Sequence, residues 1–418
     1  MKTPLQFYLI TDLHYFENSL GSGGEAYEAR SLTDQKCIAE TGAIIDSAFA
    51  KLAADTEIET ILIPGDMTFN GEAESHKVML RKLEALAAAG KKIYMVTGNH
   101  DGDHEAYAFS GDKRFTVEGT PRADLARLYR TYGLQDAIAV DEENICYVVQ
   151  LGEGVRLLGI NYDLGKKNSG FEKHMDWIIA QIEDAERAGC LIFGMTHVPI
   201  LPGAPILALA EDAVIQNWEA VAARLADMGL PLMFTGHMHM QSVNQLTTPQ
   251  GNFIFDICTG SLVGGPSVIR KVSIDENWRM EITSSPTPEF DWDKRGLTAA
   301  EYYIWRFNRK IEHEILSKIK IKSLRKLRLF PFGVELARNI FYGDQPYTRG
   351  TPEYARVMRL LKCLRPIVWL AEKKLSSRSP LFRDIPALAA SLIGKDKKID
   401  HNAVIDLKHG TAEELHSL

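Results

Sequence analysis

The 418-residue sequence predicts an α/β fold followed by a helical region, and three observations lead there. Short apolar runs rich in β-branched and aromatic residues recur along the first two thirds of the chain. Longer segments with helical periodicity separate them, several ending at a glycine. After "SSPTPEFDWDKRG" (284–296) the runs stop and helical periodicity remains, with no clear strand. Two units are expected, residues 1–290 and residues 291–418.

The elements follow in order. "FYLIT" (7–11) reads as a buried strand, and "YFENSLGSGGEAYEARSL" (15–32) as a glycine-rich loop after it. Thr33 and Asp34 suit the N-cap of a helix over residues 33–54, which carries Ile38, Ile44, Ile45, Phe49 and Leu52. "TILIP" (60–64) is the next strand, and a helix over 72–89 stops at Gly90. After "KIYMVT" (92–97), residues 102–144 form an insertion with a helix near 121–132. "ICYVVQL" (145–151) and "VRLLGI" (155–160) precede a helix over 171–188 that stops at Gly189. "LIFGMT" (191–196), a helix over 217–228, "PLMFT" (231–235) and "NFIFDI" (252–257) complete the alternation. Beyond it, Tyr303, Phe307, Ile311, Ile315 and Ile319 recur at i+4 as the apolar stripe of a helix. Residues 352–374, with Tyr354, Met358, Leu361, Leu364 and Trp369, suggest another helix, interrupted at Pro366. The last stretch, "GKDKKIDHNAVIDLKHGTAEELHSL", is polar and reads as partly loose.

Composition narrows the function classes. The formal net charge of -7 argues against nucleic-acid binding by the whole protein. The charge is uneven. Residues 296–418 hold 23 Lys and Arg against 13 Asp and Glu, leaving 25 against 42 for residues 1–295. Five scattered cysteines without a CxxC pair fit a reducing compartment. The start lacks the apolar core of a secretory signal, and no run of about 18 apolar residues appears. A cytoplasmic location is expected.

The strand exits carry the chemistry. Asp12 and His14 follow the first strand in "TDLHY", Asp66 the second in "PGDMTFNGE", and Asn99, His100 and Asp101 the third in "TGNHDG". Later come His197 in "MTHVPI" and His237 and His239 in "FTGHMHM". In an open α/β sheet such exits share one edge, where ligands bind. Carboxylates and imidazoles suit divalent Mn, Fe or Zn. A pair of ions about 3.5–4 Å apart clamps phosphate oxygens and lowers the pKa of a bound water.

The ordered set "DLH" (12–14), "GD" (65–66), "GNHD" (98–101), His197 and "GHMH" (236–239) resembles the calcineurin-like metallophosphoesterase superfamily over roughly residues 5–275. The resemblance implies a four-layer α/β/β/α sandwich of two mixed sheets. It implies that Asp12, His14 and His239 hold one metal, that Asn99, His197 and His237 hold the second, and that Asp66 bridges. It also implies a metal-bridging hydroxide as nucleophile, His100 near the leaving-group oxygen, and Asp101 orienting His100. "GDMTFNGEAES" and "CTGSLVGGPSVIRKV" (258–272) resemble the class III cyclic-nucleotide and glycerophosphodiester phosphodiesterase group. Phe69 stands where purple acid phosphatases need a tyrosine, which speaks against a tyrosinate–Fe(III) site.

The expected function is therefore dinuclear-metal hydrolysis of a phosphodiester in a small-molecule substrate. Phosphomonoester hydrolysis and nuclease activity are the alternatives within the enzyme class, and a non-catalytic scaffold is the alternative outside it. His104, Asn161 and Asp163 lie near the same edge as candidate substrate contacts. His76, His174, His313, His401, His409 and His416 read as surface or packing residues. The basic 318–328 segment, with Lys320, Lys322, Arg325 and Lys326, suits docking on the acidic unit, an anionic membrane, nucleic acid or a partner.

Overall fold

The computed structural model describes residues 4–161, 171–210, 212–318, 329–344, 350–363, 365–366, 369, 372–373, 383–384, 386–387 and 398–415. The chain begins β1 (Leu5–Leu9), α1 (Glu25–Thr33), α2 (Thr41–Ala54), β2 (Thr60–Pro64), α3 (Ala73–Ala88) and β3 (Lys92–Val96). An insertion holds the hairpin β4 (Tyr107–Ser110) and β5 (Lys113–Thr116), then α4 (Arg122–Leu128). Next come β6 (Ala139–Asp141), β7 (Cys146–Gly152), β8 (Val155–Ile160), α5 (Phe171–Arg187), β9 (Leu191–Thr196), α6 (Trp218–Asp227) and β10 (Leu232–Thr235). β11 (Ser242–Thr247), β12 (Phe253–Cys258), β13 (Val268–Ile274) and β14 (Arg279–Pro286) follow. The chain then runs through α7 (Ala299–Lys318), α8 (Leu329–Tyr342), α9 (Pro352–Cys363), β15 (Ala403–Asp406) and β16 (Thr411–Glu414).

Two seven-stranded sheets result, ordered β16-β15-β14-β13-β1-β2-β3 and β11-β12-β10-β9-β8-β7-β6. Both are mixed. β1, β2 and β3 are parallel, with β13 antiparallel to β1. β8, β9, β10 and β12 are parallel, flanked by antiparallel β7 and β11.

β2 shows why its run is apolar throughout. Alternate side chains leave opposite faces of a strand. Ile61 and Ile63 enter the core beneath α2 and α3, with Ile45, Met79 and Leu83. Leu62 enters the core between the sheets, with Phe7, Phe193 and Phe234. There the Phe7 and Phe193 rings stack at 5.8 Å, and Phe234 meets them edge-on at 5.7 and 5.6 Å. On the far face, Ile178, Ile182, Val221 and Leu225 of α5 and α6 cover Ile192 of β9. Helix, sheet, sheet and helix form the four layers expected. Each large apolar side chain buried this way stabilises the fold by about 1.5–3 kcal/mol.

Three local expectations are corrected. The helix expected over 33–54 begins only at Thr41, as α2, and α1 occupies part of the expected glycine-rich loop. Asp34 does not cap a helix ahead of it. Its carboxylate pairs with Arg30 one turn back at 2.5 Å and accepts the Lys36 N–H at 2.9 Å, which ends α1. The helix near 121–132 stops at Leu128 and continues as a short 3₁₀ turn. The chain beyond 296 is not without strands: β15 pairs with β14 and β16 with β15, so the stretch read as loose extends the first sheet.

Phe307 and Ile311 of the expected stripe are buried against α8. Ile319, Lys320, Lys322, Arg325, Lys326, Leu364 and His416 lie outside the described residues. Among the described residues no helix is long and apolar enough to cross a membrane.

Candidate metal centre

The two sheets deliver their ligand-type residues to one rim. β1, β2 and β3 of the first sheet lead into Asp12 and His14, Asp66, and Asn99–His100–Asp101. β9 and β10 of the second lead into His197 and into His237 and His239. Turning a side chain back over a strand end takes unusual backbone. Asp12, His14, Asp66, His237 and His239 have φ of 53°, 40°, 54°, 64° and 51°. Each left-handed non-glycine residue costs about 1–3 kcal/mol, strain that concentrates at functional sites. The glycines in these motifs are required by contact: a Cβ on Gly98 would overlap Asp66 Oδ1, and one on Gly236 would overlap Asp12 Oδ2.

Three groups of donors converge: Asp12, His14 and His239; His14, Asp66 and His100; and Asp66, His197 and His237. His14 Nε2 lies 2.9 Å from His239 Nε2, and His239 Nε2 lies 3.2 Å from Asp12 Oδ1. Asp66 Oδ2 lies 3.5 Å from His14 Nε2 and 3.1 Å from His197 Nε2. Asn99 Oδ1 lies 3.1 Å from His197 Nε2 and 2.9 Å from His237 Nδ1. Asp12, His14, Asp66 and His197 are essentially fully buried.

Neighbouring groups aim these donors. Pro64 O accepts from His197 Nδ1 at 2.7 Å, and Asp212 O accepts from His237 Nε2 at 2.6 Å. The ring hydrogen is thereby placed on the outer nitrogen, and the inner nitrogen turns its lone pair to the cluster. Asp66 Oδ1 accepts the His100 N–H at 2.9 Å, which leaves Oδ2 to face the imidazoles. Asp12 accepts the His237 N–H through both oxygens, at 3.1 and 3.0 Å.

Electrostatics agree with a cation site. Burial alone would raise the Asp66 carboxyl, but the His197, His100 and His14 imidazoles hold it well below its ordinary range. Burial opposes charge on His197 too, yet the Asp66 carboxylate pushes it up to about 9. Burial depresses His14 to about 4, with the Lys36 charge adding to it, and depresses His237 to about 4. Imidazoles set around buried carboxylates, with Asp66 held ionised, are the donor types that borderline divalent ions take. The residues present fit a dinuclear metal centre.

The structure brings all nine expected residues to this rim, with one change of partner. Asp101 is committed elsewhere: Oδ1 accepts from Met67 N at 2.8 Å and Thr68 N at 3.0 Å, and Oδ2 from Gly98 N at 2.8 Å. A carboxylate bound to three backbone groups holds the "GD" and "GNHD" loops together. His100 Nδ1 is instead 2.9 Å from Asn70 Oδ1. His104, a candidate substrate contact, stacks on His100 at 4.7 Å. Asn161 is a structural tie, accepting from Thr97 N at 2.7 Å and Thr97 Oγ1 at 2.8 Å. Asp163 lies outside the described residues. Asn70, which no motif marks, and His76, expected as a surface or packing residue, both support the site. His76 is buried in α3, with Nε2 2.8 Å from the Asp101 carbonyl and Nδ1 2.7 Å from Tyr129 Oη. Asn70 sits four residues after Asp66, but sequence spacing does not say which way a loop amide points.

A family model for calcineurin-like phosphoesterases matches residues 5–241. Among solved structures, a dimetal phosphatase from Danio rerio is similar at 16% identity and a TM-score of 0.48, over 68% of this chain and 97% of that one. A purple acid phosphatase from yellow lupin (Lupinus luteus) seeds is similar at 12% identity and a TM-score of 0.47, over 68% of this chain and 52% of that one. A putative 5′-nucleotidase from Staphylococcus aureus is similar at 13% identity and a TM-score of 0.40, over 85% of this chain and 63% of that one.

Proposed function

The chain belongs to the calcineurin-like phosphoesterase family, and from that premise we propose that it hydrolyses a phosphodiester in a small-molecule substrate. That it is a metal-dependent phosphoric ester hydrolase follows from the family and the clustered Asp and His donors. The observation that carries the site assignment is Asp66 Oδ2, within 3.5 Å of His14 Nε2 and 3.1 Å of His197 Nε2. The diester preference is supported by the "GDMTFNGEAES" and "CTGSLVGGPSVIRKV" stretches, which resemble the phosphodiesterase group.

In this reading Asp12, His14 and His239 hold one divalent ion, Asn99, His197 and His237 hold a second, and Asp66 is shared. Two such ions, Mn, Fe or Zn by donor type, supply charge for the phosphoryl oxygens and acidify water. The protein's own groups do the rest. His100 keeps Nδ1–H on Asn70 Oδ1, so Nε2 is the atom that serves the departing oxygen. Asp101 fixes the loops that carry Asp66 and Asn99. The five cysteines are all free, which supports a reducing compartment, and we place the protein in the cytoplasm.

The test is hydrolysis of bis(p-nitrophenyl) phosphate against p-nitrophenyl phosphate by Mn²⁺-loaded protein. Faster diester cleavage is expected. Faster monoester cleavage would move the substrate class to phosphomonoesters and leave the centre as assigned. Cleavage of neither, with no tightly held metal, would sink the enzymatic reading.

A further inference from the structure

The His100 ring is held from three sides, and one of them belongs to no motif. His14 meets it edge-on at 5.0 Å, and Asn70 Oδ1 accepts its Nδ1–H at 2.9 Å. The third hold is on its face, where the His104 ring lies 4.7 Å away and tilted by only 15°. Two rings four residues apart on a loop meet face to face only if the backbone turns back between them. Asp103 makes that turn, with a φ of 55° in the left-handed region that aspartate tolerates better than most side chains.

The turn is fastened to the insertion. Asp103 N donates to Thr120 O at 3.1 Å, and Asp103 Oδ1 accepts from Arg122 N, at the start of α4, at 3.1 Å. Thr120 is buried, and its own N–H donates to Gly71 O at 2.8 Å, one residue after Asn70. One residue of the insertion thus spaces the loop that carries Asn70 from the loop that carries His104, with His100 between them. The His104 ring is oriented as well, because its Nδ1 accepts from Glu105 N at 3.1 Å. Asn70 and His14 are buried, whereas His104 is exposed at the rim. Core packing therefore does not account for an imidazole laid flat on His100.

We propose that His104 is a positioning residue for His100: its ring closes the outer face of the His100 imidazole and keeps Nε2 aimed at the departing oxygen. The inference rests on the phosphoesterase reading and deepens it. The bond to Asn70 fixes one atom of His100, and contacts on the ring's faces must set its plane. Offset stacking is a favourable way for flat rings to meet. A general acid that is misaimed loses rate while substrate binds as before. The loss falls hardest on leaving groups that most need the proton.

The experiment compares wild type, His104→Ala and His104→Phe, loaded with Mn²⁺, on bis(p-nitrophenyl) phosphate and on diphenyl phosphate, whose leaving group is poorer. The p-nitrophenyl and phenyl monoesters take their place if monoesters prove the better substrates. Bound metal is measured in each protein, and the His100 Hε1 resonance is followed in the Zn²⁺-loaded forms. His104→Ala is expected to lose about tenfold or more in kcat on the nitrophenyl ester, and more on the phenyl ester, with KM and metal content little changed. Its His100 Hε1 resonance should move downfield as the stacked ring is removed. His104→Phe keeps a flat ring without nitrogens and is expected to recover most of the rate and most of the shift. Wild-type rates in His104→Ala would overturn the proposal. So would a His104→Phe as slow as His104→Ala, which would make a ring nitrogen of His104 the group that matters. Failure of the underlying reading looks different: wild type would cleave no ester, although removing His104 still moved the His100 resonance.

Discussion

Asp66 bears the heaviest demand of any single residue. One of its oxygens is spent on the His100 N–H, and the other faces imidazoles from both sheets. Asp66→Ala is expected to abolish turnover and to lower metal content at both positions, by elemental analysis. Near-normal turnover would make the shared role wrong. His100 and Asn70 make a second pair. His100→Ala is expected to keep its metal and lose about 10²–10⁴-fold in kcat, the usual worth of a general acid. Asn70→Ala, which removes the Nδ1 partner, is expected to lose about ten- to a hundredfold with metal content again unchanged. Metal loss from either variant would make His100 a ligand. At this scale the donor types were legible, because aspartate and histidine at successive strand exits have few other uses together. The partner of His100 was not. Asp101 is its sequence neighbour, but adjacent side chains leave the backbone in different directions, and the amide that reaches the ring comes from another loop.

Among the elements, β12 does something that no motif announces. It carries Asp256, fully buried, whose Oδ2 accepts from Ile200 N at 2.6 Å and Leu201 N at 2.9 Å. Thr235 Oγ1 at the end of β10 donates to Oδ1 at 2.6 Å. One carboxyl thus ties the turn after His197 to the strand before His237. Burial pushes the Asp256 carboxyl up to about 7, against the pull of those bonds. An unfolded aspartate titrates near about 3.9. Between the two values the folded chain holds a proton that the unfolded chain releases. The stability Asp256 contributes is therefore full below about pH 4 and lost as pH rises through about 7. Asp256→Asn keeps the reach, because an amide oxygen accepts the two N–H groups and its NH₂ donates to Thr235. Wild-type Tm minus Asn-variant Tm is expected to fall as pH goes from 4 to 8 (roughly the interval between the two pKa values). A difference that stays flat would relieve Asp256 of the role. Elements of this kind were legible as strands, since a run apolar on both faces belongs between two layers. The break between α1 and α2 was not, because Asp34 is as good a partner for Arg30 behind it as a cap for the residues ahead.

At the scale of the whole molecule, the C-terminal strands decide where the catalytic sheet ends. β15 and β16 are four residues each, and their alternate side chains, Ala403, Ile405 and Ala412, are buried between the sheets with Leu407. Asp400 fastens the entry to this hairpin, with Oδ1 accepting from Val243 N of β11 at 2.9 Å and Oδ2 from Asp344 N at 3.0 Å. The hairpin thus joins both sheets and the end of α8. Its apolar content is too sparse and too short-ranged to stand out from the charges around it, so a polar tail was the natural reading of the sequence. Removing residues 398–418 would strip these side chains from the inter-sheet core. It would also leave the backbone of β14 unpaired along one side, a template for association. The truncated chain is expected to lose several kcal/mol of stability, at about 1.5–3 kcal/mol for each large side chain unburied. Soluble yield and Tm should fall, and size exclusion should show aggregates. A truncated chain with wild-type Tm, monomeric and active, would show that β13 and β14 close the sheet unaided.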